Sequence, residues 1–279
     1  MPKVLLALLL AANASIAGTS VNVAYAGSLV TVMERSIAPE FIRSCSCSYY
    51  GEGRGSKALL HLILGGVRHP DVFISADPPL MLQLLHPRSS RPLIRWYAIF
   101  ARSRLVLGYS RRSSFATLLL RAARGRISVA QLLKTPHLRI GRTDPQLDPK
   151  GAKTLQAVAS LSRSRHDPAL LRAVRNAAPF PEEDLLVRLE SGDLDVAFLY
   201  SVEAHSRRLP ALELPRNANG GAEYAVTQLN AAADKATASA FIRFILFGEG
   251  KKTLQRAGLA FVGPIFKGHV GEALRSLRR

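Results

Sequence analysis

Three stretches of the chain place glycine beside a residue that commonly begins a helix. They are AGSL at 26–29, GEGRGSK at 51–57 and GRTDPQLDPKG at 141–151. Glycine lets the backbone approach a ligand closely, and Ser and Asp are preferred at helix N-caps. A helix start presents unpaired N–H groups and a partial positive charge. Together the three junctions predict a binding site for a small anion.

The sequence gives little support for nucleotide binding, metal binding or nucleophilic catalysis. Gly51, Gly53 and Gly55 are followed by Ser56, where a dinucleotide-binding loop needs another glycine, and the order Gly-Ser-Lys differs from that of a P-loop. The histidines are scattered, without a pair at metal-ligand spacing, and there is no Gly-x-Ser-x-Gly nucleophile motif. The chain is therefore predicted not to be an enzyme and to need no cofactor.

The charge balance favours anionic partners. The 279 residues include 38 Lys and Arg against 20 Asp and Glu, a formal net charge of +18. Several arginines fall between residues 102 and 126, but only Tyr109 and Phe115 interleave with them, which is weak for base stacking. This stretch indicates a solvated surface. A basic nucleic-acid-binding or regulatory protein remains an alternative of another functional class.

The first residues are typical of a signal peptide. Lys3 precedes an apolar run from Val4 to Ala12, and small residues at Ala12-Asn13-Ala14 and Ser15-Ile16-Ala17 fit two cleavage patterns. We predict a leader at residues 1–17, either removed or kept as a tether. A secreted or cell-surface protein follows from this prediction.

The remaining chain alternates short apolar strands with amphipathic helices, which predicts an α/β fold with largely parallel sheets. Expected strands include Val21–Ala26, Cys45–Tyr50, Asp71–Ser75 and Arg104–Tyr109. Ligands bind such sheets at the carboxyl ends of strands, where the three junctions fall.

Two cysteines, Cys45 and Cys47, stand in the segment expected to be the second strand. Their side chains would share one face, and a bridge at this spacing in a strand would be strained. We expect two small buried hydrophobic side chains.

Several motifs in order resemble the molybdate/tungstate-binding proteins of ABC importers, nearest their archaeal tungstate/molybdate branch. The motifs are AYAGSL (24–29), GRGSKAL (53–59), DVFISADP (71–78), GRTDPQLDPKG (141–151), LESGDLDVAFLYSVEA (189–204) and EYAVTQLNAAADKATASAFIRFILFGEGKKTLQRAG (223–258). The resemblance implies a two-lobed type 2 periplasmic-binding-protein fold, with two mixed sheets flanked by helices and a ligand cleft between the lobes. Lobe I would hold 18–97 and 226–279, and lobe II would hold 98–225.

The resemblance also implies the oxyanion-binding residues. They are Ser28, Ser56, Tyr200 and Asp144 (with Asp148 as the second choice), with Gly27, Gly55 and backbone donors near Pro181 and Glu182. Many relatives carry an acid just before the tyrosine, where this chain has Leu199. Asp144 is expected to contact the metal centre of the oxyanion, and Glu203 lies nearby but out of register.

The predicted function is an extracytoplasmic solute-binding protein that captures molybdate or tungstate. Its partners would be an ABC permease with its ATPase and the oxyanion ligand, and the protein itself would be a monomer. The membrane would be reached through the permease or an uncleaved leader. A receptor for sulfate or another small oxyanion on the same fold is the alternative within the binding class. Cavity size would select molybdate or tungstate over sulfate.

Overall fold

The computed structural model describes residues 19–88, 91–218 and 220–278. The leader predicted at 1–17 lies outside these residues. The described residues form one hydrogen-bonded sheet with helices packed around it. Its strands are β1 (Ser20–Ala26), β2 (Ser48–Arg54), β3 (Val72–Ser75), β4 (Trp96–Tyr109), β5 (Ile140–Thr143), β6 (Pro179–Phe180), β7 (Val196–Tyr200), β8 (Ala211–Glu213), β9 (Gly221–Gln228) and β10 (Ala260–Gly268).

The helices follow most of the strands, as the alternating pattern predicts. The first is a continuous helical segment, α1 (27–45), with 3₁₀, α and π turns in succession. The others are α2 (Ser56–Leu64), α3 (Pro79–Leu85), α4 (Ala116–Ala123), α5 (Val129–Leu133), α6 (Pro149–Ser164), α7 (Pro168–Asn176), α8 (Glu182–Ser191), α9 (Ser201–Ser206), α10 (Lys235–Phe247), α11 (Glu249–Arg256) and α12 (Val270–Arg278). Within the described residues, no helix is both long and apolar enough to cross a bilayer.

The strand order β2-β1-β3-β9-β4-β7-β5-β6 mixes parallel and antiparallel pairs. Strands β1, β2 and β3 are parallel to one another, as are β5, β6 and β7. Strand β9 is antiparallel to β3 and β4. The strands β3, β5 and β7 are buried along their whole length, because helices cover both faces of the sheet. The predicted α/β class with mixed sheets is confirmed. The expectation of largely parallel pairing is wrong, because β4 and β9 run antiparallel to their neighbours and five of the nine strand pairs among the described residues are antiparallel.

The long strand β4 belongs to both parts of the sheet. Its first half lies between β9 and β10, and from Leu105 onward it pairs with β7 and β8. The two expected sheets are therefore joined through one strand. We call the part around β1, β2, β3, β9 and β10 lobe I, and the part around β5, β6, β7 and β8 lobe II. The exact lobe bounds, 18–97 with 226–279 against 98–225, stay a prediction.

The prediction for the two cysteines is wrong. Cys45 is the last residue of α1, and β2 begins only at Ser48. Ser46 between them has a left-handed backbone with φ of 51°, so the chain turns sharply instead of running extended. This turn brings the Cα atoms of Cys45 and Cys47 to 5.2 Å, within the normal range for a disulfide, and the two residues are bonded.

A buried aromatic cluster fixes α10 against α1 and β2. The rings of Phe41 and Phe241 meet edge to face with centroids 5.0 Å apart, and Tyr49 lies 5.7 Å from Phe241. Phe241 has no exposed surface, whereas Phe247 at the end of the same helix is 56% exposed. The cluster therefore holds the last part of the chain onto lobe I.

Phe241→Ala should lower the free energy of unfolding by about 3–5 kcal/mol, because it removes a fully buried ring from a packed cluster. Phe247→Ala on the same helix is the control and should change it by less than about 0.5 kcal/mol. Urea unfolding followed by circular dichroism measures both values. Equal losses in the two variants would contradict the packing described.

Candidate functional site

The first glycine junction lies at the carboxyl end of β1. Gly27 begins α1, and Ser28 is buried inside the first turn. The expected N-cap role of Ser28 is wrong, because Ala26, two positions earlier, is the N-cap and no side chain caps the helix. Instead, Ser28 Oγ lies 2.9 Å from Tyr224 Oη, which projects from β9. Two hydroxyls are thus paired at the centre of the sheet.

The second junction lies at the carboxyl end of β2. Gly55 is the N-cap of α2 and Ser56 its first residue, so the N-cap lies one position before the serine expected to hold it. Ser56 is buried, and its Oγ accepts a hydrogen bond of 3.1 Å from the backbone N–H of Ala76. The hydroxyl proton of Ser56 is not used in this bond. It is available to a ligand.

The third junction joins the two lobes. Its loop follows β5 in lobe II and meets the start of α2 in lobe I. The N–H of Ala58 donates to the carbonyl of Leu147 at 3.0 Å, and Lys57 Nζ donates to the carbonyl of Pro145 at 2.7 Å. The second and third junctions are therefore held against each other across the cleft.

The sequence Asp148-Pro149-Lys150-Gly151 begins α6 and directs its side chains inward. Asp148 Oδ1 accepts the N–H of Lys150 at 2.9 Å, and Pro149 occupies the first helical position, where its missing N–H costs nothing. A side chain on Gly151 would come within 2.5 Å of the Thr143 carbonyl, so only glycine allows this approach. The residue forced into the interior is Lys150, which has no exposed surface.

Asp144, the carboxylate expected to contact the ligand, does not point into the interior beside Lys150. It is half-buried, and its Oδ1 accepts the N–H of Gln146 at 2.8 Å within the loop. The second choice, Asp148, is 3% exposed, and its Oδ2 has no hydrogen-bond partner among the described residues. The structure thus places Asp148 at the interior and Asp144 at the rim.

Lys150 is bound firmly to Glu203. Its ammonium lies 2.8 and 3.0 Å from the two carboxylate oxygens of Glu203. Glu203 sits in the first turn of α9, and its Oε2 also accepts the N–H of Tyr200 at 2.7 Å, as the glutamate of a capping box does. Tyr200 ends β7, and its ring centroid lies 5.5 Å from the ammonium.

Glu182 approaches the same ammonium from α8. Its Oε1 lies 3.0 Å from Lys150 Nζ, yet neither carboxylate oxygen has a directed hydrogen bond among the described residues. A side chain on Gly27 would come within 2.5 Å of Glu182 Oε2. The carboxylate therefore rests against the first glycine junction. The prediction concerned backbone donors near Pro181 and Glu182, and the structure adds this buried side chain.

Burial is the largest influence on the pKa values of Lys150, Glu182 and Tyr200. Burial alone would lower the pKa of Lys150, but the carboxylates of Glu182 and Glu203 hold it above its ordinary value. Burial raises the pKa of Glu182 well above the usual range, and Asp148 raises it further. Burial likewise raises the pKa of Tyr200. The ammonium therefore stays charged, and Tyr200 keeps the proton that its hydroxyl can donate.

A pocket of about 310 Å³ opens beside the buried group. Its wall includes Gly55, Asp144, Asp148 and Glu182, so residues of the second and third junctions share it. Among the residues that the structure describes, no cluster of three or more His, Cys, Asp and Glu is arranged to hold a metal ion. Glu203, which was expected near the metal centre of a bound oxyanion, forms an ion pair with Lys150 in this structure.

The structure brings most of the predicted site residues together. Gly27 contacts Glu182, Glu182 and Glu203 flank Lys150, and a side chain on Gly55 would lie 3.2 Å from Asp148 Cβ. Sequence reasoning missed Lys150 and Tyr224 as members of the group. A signal for Lys150 existed, because a cation in the first turn of a helix opposes the helix dipole and needs another reason to be there.

Lys150→Met should lower the free energy of unfolding by about 3–5 kcal/mol, because it leaves two buried carboxylates without their cation. The control is Lys153→Met, which removes a partly exposed ion pair with Asp77 on the same helix and should cost less than about 1 kcal/mol. Denaturant titrations at pH 7 measure the difference. Equal losses would show that the buried ammonium contributes no more than a surface one.

Comparison with known proteins gives the family. The bacterial extracellular solute-binding proteins match residues 21–260. A Haloferax volcanii protein named for molybdenum binding in an ABC transporter is 33% identical over 72% of this chain, which spans 61% of that protein. A molybdate/tungstate-binding protein of Thermococcus kodakarensis is 23% identical, with coverage of 95% and 89%.

The fold has a matching solved structure. The periplasmic molybdate-binding protein of Azotobacter vinelandii superposes with a TM-score of 0.68 at 18% identity, covering 87% of this chain and 98% of that one. At this identity the likeness shows the two-lobed fold alone. Together with the family match over most of the described residues, the comparisons show that the chain belongs to the bacterial extracellular solute-binding proteins.

Proposed function

We propose that this protein captures molybdate or tungstate outside the cytoplasm and delivers it to an ABC permease driven by its ATPase. The observation that carries the proposal is the meeting of three glycine junctions around buried hydroxyls and one buried ammonium. Ser28, Ser56 and Tyr200 supply neutral donors, and Lys150 supplies the charge. The names of the Haloferax and Thermococcus relatives support this class of ligand.

Capture needs no bond to be made or broken. A tetraoxo dianion loses its water shell on entering the site and gains fixed donors in exchange. Closure of the lobes excludes water and strengthens each of these contacts. The net charge of +18 raises the rate of encounter with anions, but it does not distinguish one anion from another. Selectivity over sulfate comes from the longer metal–oxygen bonds of the larger oxyanions.

Isothermal titration calorimetry with sodium molybdate, sodium tungstate and sodium sulfate tests the proposal. We expect one site per chain for molybdate and tungstate, and sulfate should displace neither of them at equal concentration. Sulfate binding without molybdate or tungstate heat would instead establish the alternative, a sulfate receptor on the same fold. Duplex DNA affinity that falls steeply with salt would favour the nucleic-acid alternative.

Ser28→Ala and Ser56→Ala should each weaken binding of the preferred oxyanion about tenfold, since each removes one hydroxyl that donates to a charged ligand. Ser44→Ala is the control, because Ser44 is an exposed residue of α1 whose Oγ donates to the Phe41 carbonyl. Calorimetry gives the affinities, and thermal unfolding checks that each variant is folded. Unchanged affinity in both test variants would place the ligand elsewhere.

A further inference from the structure

Lys150 puts a full positive charge at a point where the predicted donors are neutral. Its ammonium is buried, and Glu203 binds it through both carboxylate oxygens. Glu203 is itself fixed by the N–H of Tyr200. Glu203 is therefore the ammonium's more fully hydrogen-bonded partner. An ammonium carries three donors, so this pairing leaves capacity for another anionic partner.

Glu182 is the second carboxyl group on Lys150, and it approaches the ammonium through one oxygen, whereas Glu203 uses both. Its carboxylate lies 3.0 Å from the ammonium without a directed hydrogen bond, and it rests against Gly27. Gly27 belongs to the junction that presents helix-start donors to an anion. A carboxyl side chain that pairs with Lys150 thus lies where the predicted ligand would be bound.

We propose that Lys150 binds the oxyanion directly and that the Glu182 carboxylate competes with the oxyanion for this ammonium. The inference rests on the proposed function. Two anions cannot share the space beside Gly27 without strong repulsion. Binding therefore exchanges Glu182 for the oxyanion while the Lys150–Glu203 pair stays intact. The adjoining pocket of about 310 Å³, whose wall includes Arg54, gives the Glu182 side chain room to turn away.

The test is a double-mutant cycle on tungstate and molybdate affinity, measured by calorimetry. Glu182→Gln keeps the shape of the side chain and the Lys150–Glu203 pair, and it should tighten binding about tenfold by removing the competing charge. Lys150→Met should weaken binding by about 10- to 100-fold, the loss expected for a buried charged hydrogen bond. In the Lys150→Met background, Glu182→Gln should have little further effect.

The control is Glu183→Gln, which removes an exposed carboxylate from the same helical turn and should leave affinity unchanged. A crystal structure with tungstate gives a second measurement that needs no variant. We expect the tungsten atom within about 4 Å of Lys150 Nζ, at hydrogen-bonding range for its oxygens, and Glu182 displaced from Gly27.

The outcomes separate the two proposals. If the wild-type protein binds tungstate while Glu182→Gln binds no more tightly, or while tungsten lies far from Lys150, the inference is overturned and the proposed function stands. If neither the wild-type protein nor Glu182→Gln binds any of the oxyanions, the proposed function fails and the inference fails with it.

Discussion

A single buried ammonium organises the centre of this protein. Lys150 has lost its water, so it requires acceptors close by, and it finds them in Glu203 and Glu182. The cation comes from the start of α6 and the two carboxylates from the starts of α8 and α9. Three helices that are distant in sequence are thereby fixed relative to one another. Gly27 follows from this requirement, since a side chain there would collide with the Glu182 carboxylate. A side chain on Gly151 would collide with the backbone of residues 143–145, so this glycine lets the start of α6 lie close to the loop after β5.

The strand pairing of the sheet determines where Lys150 and its carboxylate partners lie. Strand β4 changes its partners from β9 to β7 at Leu105, and Leu105 stands opposite Tyr200. Tyr200 and the capping Glu203 therefore lie at the boundary of the two lobes. Strand β9 brings Tyr224 to the same boundary, opposite Ala101 of β4, where its hydroxyl meets Ser28. The site combines hydroxyls from one lobe with a charged cluster from the other.

Local signals in the sequence were enough to predict the fold class and the three junctions. Apolar spacing and glycine at helix starts act within a few residues, so α2 begins directly after the second glycine junction. The disulfide could not be predicted in this way, because it depends on the left-handed turn at Ser46. Asp144 and Asp148 carry the same Asp-Pro signal, and only the packing of α6 decides which one faces inward. Burial of Lys150 likewise depends on partners 32 and 53 positions away.

The continuity of β4 limits how the lobes can separate. A strand that carries ladder bonds to lobe I along its first half and to lobe II along its second half cannot act as a loose tether. Separation of the lobes must therefore bend or twist β4 near residues 104 and 105, while the bonds of Leu147 and Pro145 to α2 are broken. The chain crosses between the lobes a second time, between β8 and β9. Any separation of the lobes must therefore move both crossings together, while the ladder bonds on either side of residues 104 and 105 hold the two halves of β4 in place.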